Sequence, residues 1–185
     1  MWQIDKNWTL FLDRDGVINQ KLEDDYVKNF EEFVFMPSLL EALRALRPRF
    51  GLLVVVTNQQ GISKGLMTEN DLLRLHWQMQ TALQEYEVRI DKIYHCPDLA
   101  ASNSPYRKPE IGMALQAKSD FPKIDFEKSI MIGDSISDME FGKKAGMKTI
   151  FLSKKKIESS FIDVQLQSWV EVVEFFDIQN LLPIP

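Results

Sequence analysis

Four short apolar runs punctuate the chain: Trp8–Leu12 (WTLFL), Leu52–Val56 (LLVVV), Ile130–Ile132 (IMI) and Lys148–Leu152 (KTIFL). The first three end in polar clusters, DRDG, TNQQG and GDSISD. Runs this apolar, with few polar positions between, predict strands covered on both faces, as in a parallel sheet. Between them the spacing becomes helical. Ser38–Leu46 follows Pro37, a residue suited to a first turn. Thr68–Tyr86 begins with a capping threonine and Asp71 three positions on, and carries Leu72, Leu75, Met79 and Leu83 along one face. Ile90–Tyr94 predicts another strand, Pro109 opens a helix to about Ser119, and Ser135–Ala145 is a helix closed by Gly146. The tail adds an edge strand near Ile162–Leu166 and a helix at Trp169–Phe176. This alternation predicts an α/β fold with a doubly wound parallel sheet and right-handed crossovers. No repeat, low-complexity stretch or linker interrupts it, so residues 1–185 read as a single domain. The segments 19–37 and 94–107 are too short for a separate cap domain.

Composition narrows the partners. The 185 residues are 45% hydrophobic and 26% charged, which describes a globular chain. With 22 basic and 27 acidic side chains the net charge is −5, against the basic excess that a nucleic-acid or anionic-membrane surface usually needs. An anionic substrate must therefore be drawn by a local positive site. The single cysteine, Cys96, precludes an intramolecular disulfide and fits a reducing compartment. The N-terminus MWQIDKNW lacks a signal-peptide pattern, and the run at Leu52–Val56 is far too short to span a bilayer. The expectation is a cytoplasmic protein, with a monomer favoured.

Chemistry concentrates at LFLDRDGVIN, Leu10–Asn19, where an apolar run ends in two aspartates and a glycine. An ordinary surface turn explains Asp-Gly but leaves the other strand-end clusters unexplained. An EF-hand loop fails because Val17 and Ile18 stand where that loop needs an oxygen ligand and a glycine. In an open parallel sheet, ligands collect at the carboxyl ends of the strands. Asp13 and Asp15, two apart in extended chain, project to the same side, and Gly16 lets the chain turn away. Paired carboxylates there suit phosphoryl transfer through an aspartyl-phosphate. A carboxylate approaching a phosphate is repelled, so a cation such as Mg²⁺ must sit between them. Asp134 is the natural third oxygen ligand, with Asp138 one turn on in support. Thr57 and Asn58 offer donors to the phosphate oxygens, and Lys108 offers a point charge.

The segments DRDGVIN, VVTNQQGISKG, YRKPEIGM and MIGDSISDM, spread over about Leu10–Leu152, resemble in order the four motifs of the haloacid dehalogenase superfamily of phosphatases. More narrowly, they resemble its branch of heptose bisphosphate and histidinol-phosphate phosphatases. The resemblance implies a Rossmann-like sheet and Mg²⁺ dependence. It implies that Asp13 is nucleophile and metal ligand, and that Asp15 is general acid and base and lends its carbonyl to the metal. Asp134 would be the remaining protein ligand. Thr57 and Lys108 would stabilise the phosphoryl group. Arg107, Asn58, Gln59 and the loop Glu23, Asp24, Asp25 and Tyr26 would bind substrate. Many members of the branch also carry a zinc loop. Its four ligand positions here are Cys96, Asp98, Ser104 and Tyr106, a poor tetrahedral set, so zinc is not expected.

Cys96 reads otherwise as a small partly buried residue, His76 as a packing or surface histidine, and Lys154–Lys156 as a solvated loop. Met67, Met79, Met113, Met131 and Met139 read as core filler. Lys64 reads equally as a contact to a second phosphate or as solvated. The function expected is a Mg²⁺-dependent phosphomonoester hydrolase in carbohydrate metabolism, acting on a small phosphorylated metabolite, above all a heptose bisphosphate. Alternatives are a histidinol-phosphate phosphatase, a DNA-end phosphatase, and a non-catalytic binding module on the same fold.

Overall fold

A computed structural model describes residues 2–23 and 25–181, side chains 178–181 excepted. Six strands form one sheet: β1 (Thr9–Leu12), β2 (Leu52–Asn58), β3 (Lys92–Cys96), β4 (Ser129–Gly133), β5 (Lys148–Leu152) and β6 (Val164–Leu166). The order is β3-β2-β1-β4-β5-β6, and every pair is parallel. The chain winds outward from β1 to β3, then returns to lay β4 on the other side of β1. The reversal of winding therefore falls between β1 and β4, where such sheets bind ligands.

The helices are α1 (Leu39–Leu46), α2 (Glu69–Gln84), α3 (Gly112–Asp120), α4 (Ile136–Ala145) and α5 (Trp169–Leu181). Strand side chains alternate between two buried layers, which is why the runs carry no polar alternation. Leu10, Leu12, Leu53, Val55, Ile130 and Ile132 pack with α1, α2 and α5. Phe11, Val54, Val56 and Met131 pack on the other face with α3 and α4, through Met113, Ala117, Met139 and Phe141. Among the described residues, no helix is long and apolar enough to cross a membrane.

Three expectations shift. The strand expected at Ile90–Tyr94 runs from Lys92 to Cys96, because Val88 and Ile90 are spent on the core. The Asp91 amide bonds to the Leu53 carbonyl just before the ladder begins. Pro109 does not open a helix: α3 starts at Gly112. Residues 104–112 instead fold into successive turns, Arg107 N–H to Ser104 O, Glu110 N–H to Arg107 O and Gly112 N–H to Pro105 O. The Lys108–Pro109 peptide within them is cis. These turns aim Lys108 into the sheet end. Finally, α5 continues beyond Phe176 to Leu181.

Candidate active site

The sheet's carboxyl end holds a cavity of about 430 Å³. Asp13 follows directly on β1, its amide bonded to the Ile132 carbonyl of β4 at 3.0 Å, so strand pairing itself fixes the carboxylate. Gly16 takes a left-handed φ of 88°, and the Asp134 carboxylate fills the space beside it: a Cβ there would stand 2.1 Å from Oδ2. Only glycine lets β1's loop turn that close to β4's acid. Gly133 does the same for Asp138, whose Cβ lies 2.2 Å from where a side chain would begin.

Lys108 joins these acids. It is buried, and its ammonium reaches Asp13 Oδ1 at 2.8 Å, Asp138 Oδ1 at 2.7 Å and the Val56 carbonyl at 2.8 Å. The ammonium is thus enclosed by two carboxylates and a carbonyl. Asn58 grips the Lys108 backbone twice, donating to its carbonyl at 3.1 Å and accepting from its amide at 3.0 Å. Asp138 Oδ2 accepts from the Ser135 amide and hydroxyl, which also caps α4. Burial lowers the Lys108 pKa, but Asp13 and Asp138 outweigh it, and the net shift is upward. Among protein charges alone, burial pushes the Asp13 carboxyl up to about 7; Lys108 works against this, while Asp138 and Asp15 add repulsion. Asp134 is raised as well, first by burial and then by Asp138. Lys21 answers its Oδ2 at 3.3 Å.

Oxygens of Asp13, Asp134 and Asp138 lie within 4.8 Å of one another. Asp134 Oδ1 is buried with no hydrogen-bond partner, an expensive arrangement unless a cation completes it. The donor set is all oxygen, which suits Mg²⁺. The residues present therefore fit that ion.

Asp15 is held differently. Its Oδ1 accepts from Arg14 Nη2 and Asn19 Nδ2, each at 2.9 Å, and its Oδ2 from Arg14 Nη2 at 2.9 Å and Gln59 Nε2 at 2.8 Å. Burial pushes its pKa up, but the Arg14 guanidinium and the bonds from Asn19 and Gln59 hold it below the usual carboxylate range. The carboxylate is thus ionised at rest.

Asp13, Asp15, Thr57, Asn58, Arg107 and Lys108 all border the cavity, as do Asp25, Tyr26 and Asp134. Two expected substrate contacts do not. Gln59 is fully buried beneath the site, donating to Asp15 and to Thr57 Oγ1, because its side chain points into the sheet end; Gln60 borders the cavity instead. Glu23 is exposed and outside it. Asp24 lies outside the described residues. Tyr26 turns its hydroxyl to Gln60 Nε2 at 2.8 Å and Lys64 Nζ at 3.0 Å. Arg107 donates through Nη1 to the Asp98 carbonyl at 2.9 Å. Three of the four zinc-loop positions meet here: the Cys96 thiol lies 3.5 Å from Asp98 Oδ2 and 3.9 Å from Ser104 Oγ. Burial raises the thiol's pKa, so these side chains hold the loop by hydrogen bonds.

Sequence reasoning missed Arg14, Asn19 and His76. The signal was parity: Arg14 lies between two aspartates that face the cavity, so its charge must face inward. His76 was expected to be a packing or surface residue; it is buried and bonded to Arg14 at 3.2 Å.

The sequence profile of the family described as Polynucleotide kinase 3 phosphatase matches residues 8–172. The chain is 40% identical, over 95% of its length and 99% of the relative's, to a D-glycero-alpha-D-manno-heptose-1,7-bisphosphate 7-phosphatase of Campylobacter jejuni. It is 39% identical to a D-glycero-beta-D-manno-heptose-1,7-bisphosphate 7-phosphatase of Haemophilus influenzae, covering 77% of this chain and 79% of that one. Its fold is similar to that of a D,D-heptose 1,7-bisphosphate phosphatase from B. bronchiseptica, complexed with magnesium and phosphate. That match has a TM-score of 0.83 and 26% identity, and covers 93% of this chain and 99% of the other.

Proposed function

The chain belongs to the Polynucleotide kinase 3 phosphatase family and, within the haloacid dehalogenase superfamily, to the heptose bisphosphate phosphatases; from that premise we propose how its residues remove a phosphate. It is a phosphoric monoester hydrolase, and its substrate on this reading is D-glycero-D-manno-heptose 1,7-bisphosphate, cleaved to a monophosphate and inorganic phosphate. We read residues 1–185 as one phosphatase domain working in the cytoplasm.

The observation that carries the reading is the contrast between the surroundings of the two aspartates. Asp13 sits among Lys108 and two further acids, in the only described group of carboxylates able to share a cation. Asp15 sits 21% exposed in a cradle of donors. When bound by Asp13 and Asp134, Mg²⁺ supplies charge neutralisation between the carboxylate and the incoming phosphate. An Asp13 oxygen forms a bond to phosphorus as the bond to the sugar oxygen breaks, and Asp15, having first taken up a proton from solvent, gives it to that oxygen. Water then attacks the aspartyl-phosphate and loses its proton to Asp15, restoring the Asp13 carboxylate and releasing phosphate. Lys108 holds Asp13 in line, and Thr57 lies where it can donate to a phosphoryl oxygen.

A DNA-end substrate is the reading suggested by the family's description. It is opposed by the net charge of −5, since a polyanionic nucleic acid is usually held by a basic surface.

Asp13→Asn is expected to abolish turnover with the fold intact, and beryllium fluoride should form its adduct on Asp13; an adduct elsewhere would sink the assignment. Asp15→Asn should lower kcat by about 10²–10⁴-fold. For substrate, kcat/KM measured on the heptose bisphosphate, histidinol phosphate and a 3′-phosphorylated oligonucleotide should rank the bisphosphate first. A faster rate on either of the others overturns the heptose reading.

A further inference from the structure

Arg14 is an unusual thing to bury. Its side chain is wholly inaccessible, and its Nε is buried with no hydrogen-bond partner. An unsatisfied donor on a buried cation is costly, so the rest of the fork must do something the protein needs. Nη2 gives its hydrogens to Asp15 and to Gln59 Oε1 at 3.2 Å. Nη1 faces the opposite way, 3.2 Å from His76 Nε2. A guanidinium only donates, so His76 Nε2 is the acceptor and its ring proton sits on Nδ1.

His76 is the one polar residue on the buried stripe of α2, between Leu72, Leu75, Met79 and Leu83. Burial, with Arg14 and His95 adding repulsion, pushes its pKa down to about 3. It is therefore neutral throughout the working range. That neutrality matters: a carboxylate at this place would pair with Arg14 and draw its charge away from Asp15. A neutral acceptor fixes the orientation of the fork and leaves the full positive charge for the other end. An apolar residue would leave Nη1 unsatisfied as well, and the guanidinium would turn to find a partner.

We infer that His76 is a positioning residue for the acid–base step: from α2 it locks the Arg14 fork so that Arg14 and Gln59 together hold the Asp15 carboxylate in its productive orientation. His76 touches neither substrate nor reacting atoms. The inference rests on Asp15 being the acid–base group.

The test uses two variants and two leaving groups. His76→Met keeps volume but cannot accept well from Arg14; His76→Gln can accept through its amide oxygen. An alkyl phosphate needs its departing oxygen protonated, whereas the p-nitrophenolate of p-nitrophenyl phosphate leaves without help. His76→Met is expected to lower kcat on the sugar phosphate about 10- to 100-fold, within the range of a weakened general acid. On p-nitrophenyl phosphate it should lower kcat several-fold less, with KM and Mg²⁺ affinity little changed on both. His76→Gln should restore most of the loss. If His76→Met does not fold, Gln59→Met releases Asp15 from the other side of Arg14 and should give the same leaving-group bias. Equal losses on both substrates, no loss at all, or failure of His76→Gln to restore what His76→Met removes would each overturn the inference. An inactive Asp15→Asn beside an unimpaired His76→Met would reject the lock while leaving the acid–base assignment standing. A fully active Asp15→Asn would reject the assignment itself.

Discussion

On the proposed mechanism Asp13 is the attacking carboxylate, and burial beside other acids makes it hold a proton until something takes up its charge. Its carboxyl is pushed up to about 7 by burial, against the pull of Lys108. In the unfolded chain it titrates near 4, so between about pH 4 and 7 the native state holds more protons than the unfolded one. Stability from this group therefore falls as pH rises through that window. On the reading that Asp13 helps hold Mg²⁺, the ion would need the carboxylate, so below about pH 7 a proton must leave first. The rise in Tm on adding Mg²⁺ is expected to be small near pH 5.5, to grow through pH 7 and to level off above about pH 8, with apparent affinity weakening up to about tenfold per unit below 7. Thermal melts with Mg²⁺ or EDTA across that range check it. A Tm gain that does not change with pH would mean that Asp13 is not the group displacing the proton.

At the level of elements, the sheet was legible because burial on both faces writes itself into the sequence as uninterrupted apolar runs, and β1, β2, β4 and β5 were read within a residue or two. What escaped was set by partners distant in sequence. β3 starts late because Asp91 is committed to Leu53 and to the Arg47 guanidinium at 3.0 Å. No local pattern announces that Gln59 turns under Asp15 while its neighbour Gln60 faces the cavity, since both belong to the same polar cluster. His76 was hidden for a like reason, because its partner lies 62 residues away. The glycines were legible in part: Gly133 ends a strand, but only the fold reveals that Asp138 occupies the space beside it. Gly133→Ala must push α4's first turn away from β4, an overpacking cost of about 1–3 kcal/mol. It also moves Asp138 off Lys108, so urea denaturation should register that loss of stability and kcat should fall with it. A variant with wild-type stability and kcat would mean the α4 junction is slack.

For the whole molecule, the net charge of −5 repels a bisphosphate, so attraction must come from cations left over around the cavity. Lys108 is consumed by Asp13 and Asp138, and Lys21 faces Asp134. Lys64 and Arg107 also border the cavity, and among the described residues neither has a carboxylate partner: Lys64 rests on the Tyr26 hydroxyl and Arg107 on a backbone carbonyl. These two are therefore the cations bordering the cavity without a carboxylate partner, and they lie on the loops following β2 and β3. A second phosphate on the substrate is expected to settle between them while the first meets Asp13. Charge-assisted bonds of this kind contribute roughly 1.5–3 kcal/mol each, or about one to two powers of ten. Arg107→Ala and Lys64→Ala should each lower kcat/KM for the heptose bisphosphate by about that factor, mostly through KM, and leave p-nitrophenyl phosphate within a few-fold of wild type. Rising salt should erode the bisphosphate preference of the wild type more than that of the double variant. Equal losses on both substrates would place Arg107 and Lys64 at the chemical step, and an unchanged preference would place the second phosphate elsewhere.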